Sequence, residues 1–207
     1  MSLSDEKVKN NKRLNGNVQP FLHILYINME IARDVIDRDN YFINIADQVA
    51  TRSKDPSTQV WAVIVDEKHR PVSFWYNWFL WAGDDRYLTW ERPMKYYFSI
   101  HAEMNAILFA KTDLLWCTLY CNYACCENCL KFIIQSWIKT VIYKQLHVNS
   151  HTNASAWSME HPETREAATR LILSAQPLWF QMRSIDGTPY LEELRWWKDK
   201  IPNFLGA

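Results

Sequence analysis

The chain has 207 residues, and its 23 Lys and Arg balance its 23 Asp and Glu, which leaves no formal net charge at pH 7. This length suits one domain of ordinary size with extensions. The balanced charge argues against binding to a nucleic acid polymer, which requires a basic surface. The sequence has no run of about 18 apolar residues and no apolar secretory segment near its start, so we expect neither a membrane span nor export.

Cysteine and glycine usage is unusual. All five cysteines lie between Cys117 and Cys129. An odd number clustered in this way suits metal binding in a reducing compartment better than a disulfide framework, so we expect a cytoplasmic protein. Glycine occurs 4 times and tryptophan 11 times, whereas average usage would give roughly 14 glycines.

The hydrophobic pattern predicts helices and strands in alternation. In chain order we expect a helix over residues 21–37, a helix over 40–52, strands over 60–66 and 71–76, a long loop over 77–98, a helix over 101–111, a strand over 117–121, a helix over 126–136, a strand over 140–143, a polar stretch over 145–160, a helix over 161–174 and a strand over 178–183. This order predicts an α/β sandwich with helices on both faces of one sheet.

Four residues in the middle of the chain have the spacing of a catalytic zinc site. His101 and Glu103 stand two apart at the start of one predicted helix, and Cys126 and Cys129 stand three apart at the start of the next. Zinc takes imidazole and thiolate ligands in tetrahedral geometry, and a catalytic zinc keeps its fourth position for water. We expect His101, Cys126 and Cys129 as ligands and Glu103 as the proton shuttle, an arrangement typical of zinc nucleobase deaminases.

Three neighbouring cysteines compete for two ligand positions, because the deaminase signature has Pro where this chain has Cys125. The spacing favours Cys126 with Cys129, since both thiolates can then face one ion at a helix start, where exposed N–H groups stabilise them. A structural zinc knuckle or a redox pair would explain these cysteines by themselves. Neither explains a His-x-Glu motif at the start of the preceding helix.

The other cysteines and histidines of this region have more ordinary interpretations. Cys117 and Cys121 alternate with Leu119 on a predicted strand, so we expect them to be small core residues. The polar stretch also carries three histidines: His147, His151 and His161. They could form a second metal site, but the favoured interpretation is that they are solvated loop residues.

These residues and their flanks closely resemble the deoxycytidylate (dCMP) deaminases, within the zinc-dependent cytidine and deoxycytidylate deaminase family. The likeness extends over roughly residues 41–183. The matching segments are RSKDPSTQV at 52–60, WYNW at 75–78 against a family Gly-Tyr-Asn-Gly, HAEMNAI at 101–107, CTLY at 117–120 and IIQSWIK at 133–139. This combination is typical of nucleotide-level deaminases rather than of enzymes that edit tRNA or DNA.

The resemblance implies a reaction and an architecture. The reaction is hydrolysis of dCMP to dUMP and ammonia, which feeds thymidylate synthesis. The fold is a three-layer α/β/α sandwich with a mixed central sheet of about five strands. Residues 41–183 form the deaminase domain, between an N-terminal extension over 1–40 and a C-terminal tail over 184–207. The resemblance also implies one Zn²⁺ per subunit, a homo-oligomer that is often a hexamer, and control by dCTP, bound with Mg²⁺, and by dTTP.

The resemblance also implies substrate contacts. Asn77 matches the family asparagine that contacts the deoxyribose, and Ala102, between the histidine ligand and Glu103, is expected beside the substrate. Arg52, Ser53 and Lys54 stand where we expect contact with the phosphate. The alternative for these three residues is an ordinary solvated helix end.

Five tryptophans depart from the family pattern, because each stands where the family has glycine. They are Trp61, Trp75, Trp78, Trp116 and Trp137. Glycine at such positions usually serves a positive φ or a close backbone approach, and we expect Trp75 and Trp78, which flank Asn77, to crowd the substrate pocket. One hypothesis is that UGA codons that insert glycine have been read as tryptophan. The other is a divergent, tryptophan-rich deaminase with a remodelled pocket.

Three functions compete at this point. The first is a dCMP deaminase. The second is a deaminase that edits tRNA or single-stranded DNA, against which the neutral charge argues, because polymer binding draws affinity from phosphate neutralisation. The third is a catalytically impaired nucleotide-binding homologue, against which Glu103 argues, because a structural zinc site has no need of a general base.

Overall fold

The computed structural model describes residues 34–80, 85–92, 94–146 and 162–193. The chain divides into two compact units, residues 1–36 and residues 37–207, and the fold below is that of the second. The predicted helix over 21–37 lies outside the described residues except for 34–37, which are not helical. Asp37 instead caps the next helix, since its Oδ1 accepts a hydrogen bond of 3.0 Å from the Asn40 N–H.

The elements follow the predicted order. In chain order they are α1 (Arg38–Ala50), β1 (Trp61–Val65), β2 (Pro71–Tyr76), β3 (Trp78–Phe79), β4 (Ser99–Ile100), α2 (Ala102–Leu108), β5 (Thr118–Tyr123), α3 (Glu127–Gln135), β6 (Thr140–Gln145), α4 (Pro162–Ala175) and β7 (Gln181–Ser184). The predicted boundary between residues 40 and 41 falls inside α1.

Five strands form one mixed sheet in the order β2-β1-β5-β6-β7. β1 is antiparallel to both of its neighbours, whereas β5, β6 and β7 run parallel. Side chains alternate across the sheet because successive strand residues point to opposite faces. On β1, Trp61 and Val63 pack in the cluster that contains α1, whereas Ala62 and Ile64 pack with residues of α2 and α3. These two cores confirm the three-layer sandwich with a mixed five-stranded sheet.

The predicted loop over 77–98 contains regular structure. β3 and β4 pair antiparallel, with Trp78 opposite Ile100 and Phe79 opposite Ser99, and two short 3₁₀ turns lie between them at Asp85–Tyr87 and Met94–Tyr97. The β3–β4 ribbon brings the end of this segment back to the start of α2. Most of the polar stretch over 145–160 lies outside the described residues.

Two tryptophans occupy left-handed backbone positions, Trp116 with φ +60° and Trp137 with φ +61°. Trp137 follows the C-cap of α3; its N–H donates to the Ile134 carbonyl and the Ile138 N–H donates to the Ile133 carbonyl. This pair of bonds is a Schellman motif, whose left-handed position is usually glycine because a Cβ is disfavoured there. Trp116 occupies the third position of a turn closed by the Cys117 N–H, where a positive φ also favours glycine.

No helix in the described ranges is long and apolar enough to cross a bilayer.

Candidate zinc-dependent active site

Two helix starts carry the predicted metal ligands. His101 is the N-cap residue of α2 and Cys126 is the N-cap residue of α3, both with extended backbone, and Cys129 lies in the first turn of α3. An N-cap side chain commonly bonds to its own helix, but neither of these two makes such a bond. Neither side chain is therefore engaged in capping its own helix.

The three donor atoms converge at the distances that zinc requires. His101 Nδ1 lies 3.5 Å from Cys126 Sγ and 3.4 Å from Cys129 Sγ, and all three atoms lie within 4.8 Å of one another. Ligands at about 2.1 and 2.3 Å on a tetrahedral zinc would stand about 3.6 Å apart. A hydrogen bond from the Cys129 thiol holds the pKa of the Cys126 thiol well below its usual range. The donor set and its spacing thus fit Zn²⁺.

Cys125 does not join this cluster. Its Sγ lies 3.7 Å from the Sγ of Cys121, and both side chains are buried. Cys117 is also buried, and burial raises the pKa of its thiol to about 11. Within the described ranges, His101, Cys126 and Cys129 form the only group of His, Cys, Asp or Glu side chains spaced to hold a metal. The histidines of the polar stretch, His147, His151 and His161, lie outside these ranges.

Glu103 lies beside the ligands with one oxygen unused. It is the second residue of α2 and only 4% exposed. Its Oε2 is buried and has no hydrogen-bond partner within the part of the chain that the structure describes. Burial raises the pKa of the carboxyl above its usual range. A buried carboxyl with a free oxygen and a raised pKa is suited to hold and release a proton.

The comparisons with known proteins agree with this site. The model of the cytidine and deoxycytidylate deaminase zinc-binding region matches residues 36–145. A probable deoxycytidylate deaminase of Caenorhabditis elegans is 34% identical over 158 residues, which cover 70% of this chain and 80% of that protein. The chain belongs to the cytidine and deoxycytidylate deaminase family. The human deoxycytidylate deaminase is 35% identical over 130 residues, which cover 59% of this chain and 73% of that protein.

A solved structure supports the fold of this family member. It is the dCMP deaminase of the cyanophage S-TIM5 in complex with dCMP and dUMP, which matches with a TM-score of 0.51 at 16% identity. The match covers 73% of this chain and 99% of that chain. At this identity the likeness bears on the fold alone.

Asn77 lies between β2 and β3, and its side chain is fully hydrogen-bonded. Its Oδ1 accepts from Ser53 Oγ and from the Val60 N–H, both at 2.8 Å. Its Nδ2 donates to the Thr58 carbonyl at 3.0 Å and to Asp55 Oδ2 at 3.3 Å. A carboxamide has two acceptor and two donor positions, and here all four have partners within the protein.

The other predicted substrate residues fall into two groups. Ser53 is buried and its hydroxyl donates to Asn77 Oδ1; its contact with the phosphate stays a prediction. Ala102 is fully buried at the start of α2. Arg52 and Lys54 are exposed at the end of α1, and the Lys54 ammonium lies 4.7 Å from the centre of the Trp78 ring.

The two tryptophans that flank Asn77 lie differently from one another. Trp78 stays beside the site, because it pairs with Ile100, the residue before the histidine ligand. Trp75 stacks on Phe109 with ring centres 4.5 Å apart. Phe109 is the C-cap residue of α2, so the ring of Trp75 lies at the opposite end of that helix from His101. The crowding of the substrate pocket by these two residues stays a prediction.

Sequence reasoning missed a buried ion pair close to Asn77. Lys95 Nζ lies 2.7 Å from Asp55 Oδ2, and the two side chains are 4% and 3% exposed. Asp55 lies in the segment over 52–60 that resembles the family, so its place in the sequence was a reason to consider it. Lys95 lies in the predicted loop and had no such signal.

Proposed function

We propose that this protein is a zinc-dependent deoxycytidylate deaminase that hydrolyses dCMP to dUMP and ammonia and supplies dUMP for thymidylate synthesis. The observation that carries the proposal is the position of Glu103, a buried carboxyl with an unpartnered oxygen beside a His-Cys-Cys donor set. The deoxycytidylate deaminases among the relatives support dCMP as the substrate.

The residues divide the chemistry between them. His101, Cys126 and Cys129 would hold the zinc ion, which when bound lowers the pKa of a water ligand to about 7. Glu103 receives a proton from the attacking water at its free oxygen. It delivers this proton to the ring nitrogen, then takes the second proton of the added hydroxyl as the new carbonyl forms and passes it to the departing ammonia. The two protons of one water molecule thus account for both deliveries by one general acid and base.

Specificity for a nucleotide needs a cation near the pocket. Arg52 and Lys54 are exposed cations in the loop that follows α1. We assign these two side chains to the substrate phosphate. Asn77 and Ala102 line the substrate side of the site in this proposal. Asn77 acts through the fixed orientation of its carboxamide, because its own hydrogen-bonding positions are occupied.

Regulation and assembly follow from the family resemblance. We expect dCTP, bound with Mg²⁺, and dTTP as effectors, and a homo-oligomer that is often a hexamer. The free cysteines suit the cytoplasm.

A substrate panel tests the proposal. The zinc-loaded protein is offered dCMP, dCTP, cytidine and a tRNA, and ammonia release is measured for each. Turnover of dCMP is expected to exceed turnover of the other three. Preferred turnover of the tRNA would support an editing deaminase instead, and binding of dCTP without any turnover would support the impaired homologue.

A further inference from the structure

Lys95 is a charged residue buried in the family domain, and the chemistry described so far does not use it. Its ammonium contacts Asp55 Oδ2 at 2.7 Å and Ser57 Oγ at 2.8 Å. A buried ammonium is costly to desolvate, so it persists only where its partners are well placed. The pair joins the loop after α1 to the 3₁₀ turn Met94–Tyr97, which lies close before the histidine ligand.

Asp55 organises the loop to which Lys95 is bound. Its Oδ1 accepts from the Ser57 N–H at 2.9 Å, from Ser57 Oγ at 2.8 Å and from the Thr58 N–H at 3.2 Å. Its Oδ2 is shared between Lys95 and the Asn77 amide. One carboxylate therefore fixes the loop backbone and touches the side chain of Asn77 directly.

The network reaches the metal ligands through the segment around Asn77. Asn105, on the ligand helix α2, donates to the Tyr76 carbonyl at 3.1 Å. On the other side of Asn77, Trp78 pairs with Ile100, the residue before His101. The backbone on both sides of Asn77 thus contacts the ligand-bearing segment.

We infer that Lys95 is a positioning residue for substrate binding: its ion pair with Asp55 holds the loop over 53–58 in place and so fixes the carboxamide of Asn77. Without the ammonium, the Asp55 carboxylate is buried without a counter-charge and turns towards water. The contacts of Asp55 with Thr58 and Asn77 then weaken. This inference rests on the proposed function, because its kinetic consequence is expressed with dCMP.

The kinetic test compares Lys95→Met with a matched control. Lys144→Met removes an ammonium from an exposed ion pair, which Lys144 forms with Asp47 at 2.8 Å. In zinc-loaded Lys95→Met, KM for dCMP should rise about tenfold, because the loop and the Asn77 side chain are no longer held in the orientation that binds the substrate. Zinc content should match that of the wild type, and kcat should change by no more than about threefold, because Glu103 and the ligands are untouched. Lys144→Met should leave KM and kcat unchanged.

Hydrogen exchange separates the inference from the proposed function. Peptides covering residues 53–60 and 77–80 of zinc-loaded Lys95→Met should exchange faster than in the wild type, whereas peptides of β6 should not change. If the wild type fails to deaminate dCMP, the proposed function fails and the exchange result alone decides the inference. If Lys95→Met does not fold, Ser57→Ala replaces it, since Ser57 is exposed and bonds to both ends of the pair.

Three results would overturn the inference. The first is an unchanged rate of hydrogen exchange at residues 53–60 and 77–80 in folded Lys95→Met. The second is an unchanged KM for dCMP, and the third is a loss of kcat in proportion to lost zinc. Either of these two results would show that Lys95 only stabilises the fold. In Ser57→Ala, a smaller rise in KM with faster exchange supports the inference, and the absence of both overturns it.

Discussion

Cys125 and Cys121 lie with their sulfur atoms 3.7 Å apart, whereas the two other cysteines of the Cys-Cys-x-x-Cys run lie against His101. The structure therefore divides three adjacent candidates into one core thiol and two thiols beside the His101 imidazole, where they could hold a metal ion. The division follows from the helix start: Cys126 caps α3 and Cys129 lies one turn along it, while Cys125 precedes the helix.

Zinc content tests this division directly. Cys126→Ser and Cys129→Ser each remove a thiolate, so the purified proteins should lose bound zinc, as measured by elemental analysis. Cys125→Ala should retain one zinc per chain and fold with a modest loss of stability, because it leaves only a small cavity in the core. Loss of zinc in Cys125→Ala would show that the assignment of the ligands is wrong.

The Asp55–Lys95 pair should make stability depend on pH. Burial by itself would raise the pKa of Asp55, but hydrogen bonds from Lys95 and Ser57 outweigh it and lower the pKa below its usual range. The unfolded carboxyl titrates near pH 3.9. The contribution of the pair is therefore fully present above about pH 3.9 and is lost as the pH falls through the lower folded pKa.

The comparison with Asp55→Asn isolates this effect. At neutral pH the variant should be less stable than the wild type by about 3 kcal/mol, since Lys95 is left without a counter-charge. The gap in unfolding free energy, measured with urea, should hold from about pH 6 to about pH 4 and should narrow as the pH falls from about 4 to about 2. A gap that stays constant over this range would contradict the buried charged pair.

The phosphate assignment can be tested by substrate preference. Lys54→Ala should raise KM for dCMP about tenfold, because a hydrogen bond to a charged group is lost. Turnover of cytidine, which has no phosphate, should be unaffected. Lys68→Ala, which changes an exposed lysine in the turn between β1 and β2, serves as the control. Equal losses with dCMP and cytidine would remove Lys54 from the phosphate site.

The metal site could be predicted from the sequence, because zinc restricts both the residue types and their spacing on helix starts. The sheet could be predicted as well, since β1, β5 and β6 are short apolar runs between polar turns. The ion pair could not, because Asp55 and Lys95 are 40 residues apart and nothing local joins them. The position of the Trp75 ring could not be predicted from the sequence either, because it depends on which face of β2 packs against the end of α2.

Trp137 occupies a left-handed backbone position that glycine usually fills, so the strain at this position can be measured. A bulky residue in the left-handed region is strained by about 1 kcal/mol or more. Trp137→Gly should therefore be more stable than Trp137→Ala by about 1 kcal/mol, because both lose the ring and only glycine relieves the strain. At Phe132, a similarly exposed aromatic residue inside α3, the order should reverse by about 1 kcal/mol. Urea unfolding of the four variants measures both differences.

The same two positions bear on the decoding hypothesis. Trp116 and Trp137 have the positive φ that glycine favours, whereas Trp61, Trp75 and Trp78 lie in strands. Reading the codons decides between the hypotheses. UGA at the five positions, with glycine in peptides of the natural protein by mass spectrometry, supports misreading. UGG at these positions ends that hypothesis and leaves a tryptophan-rich deaminase.

The most direct measurement is dCMP turnover by zinc-loaded wild type and Glu103→Gln. The substitution keeps the size of the side chain and all three ligands, but it removes the group that moves protons. We predict equal zinc content and a loss of kcat of about 10²-fold or more. Retained turnover in Glu103→Gln, at equal zinc content, would contradict the central claim that Glu103 is the proton shuttle of a zinc-dependent deaminase.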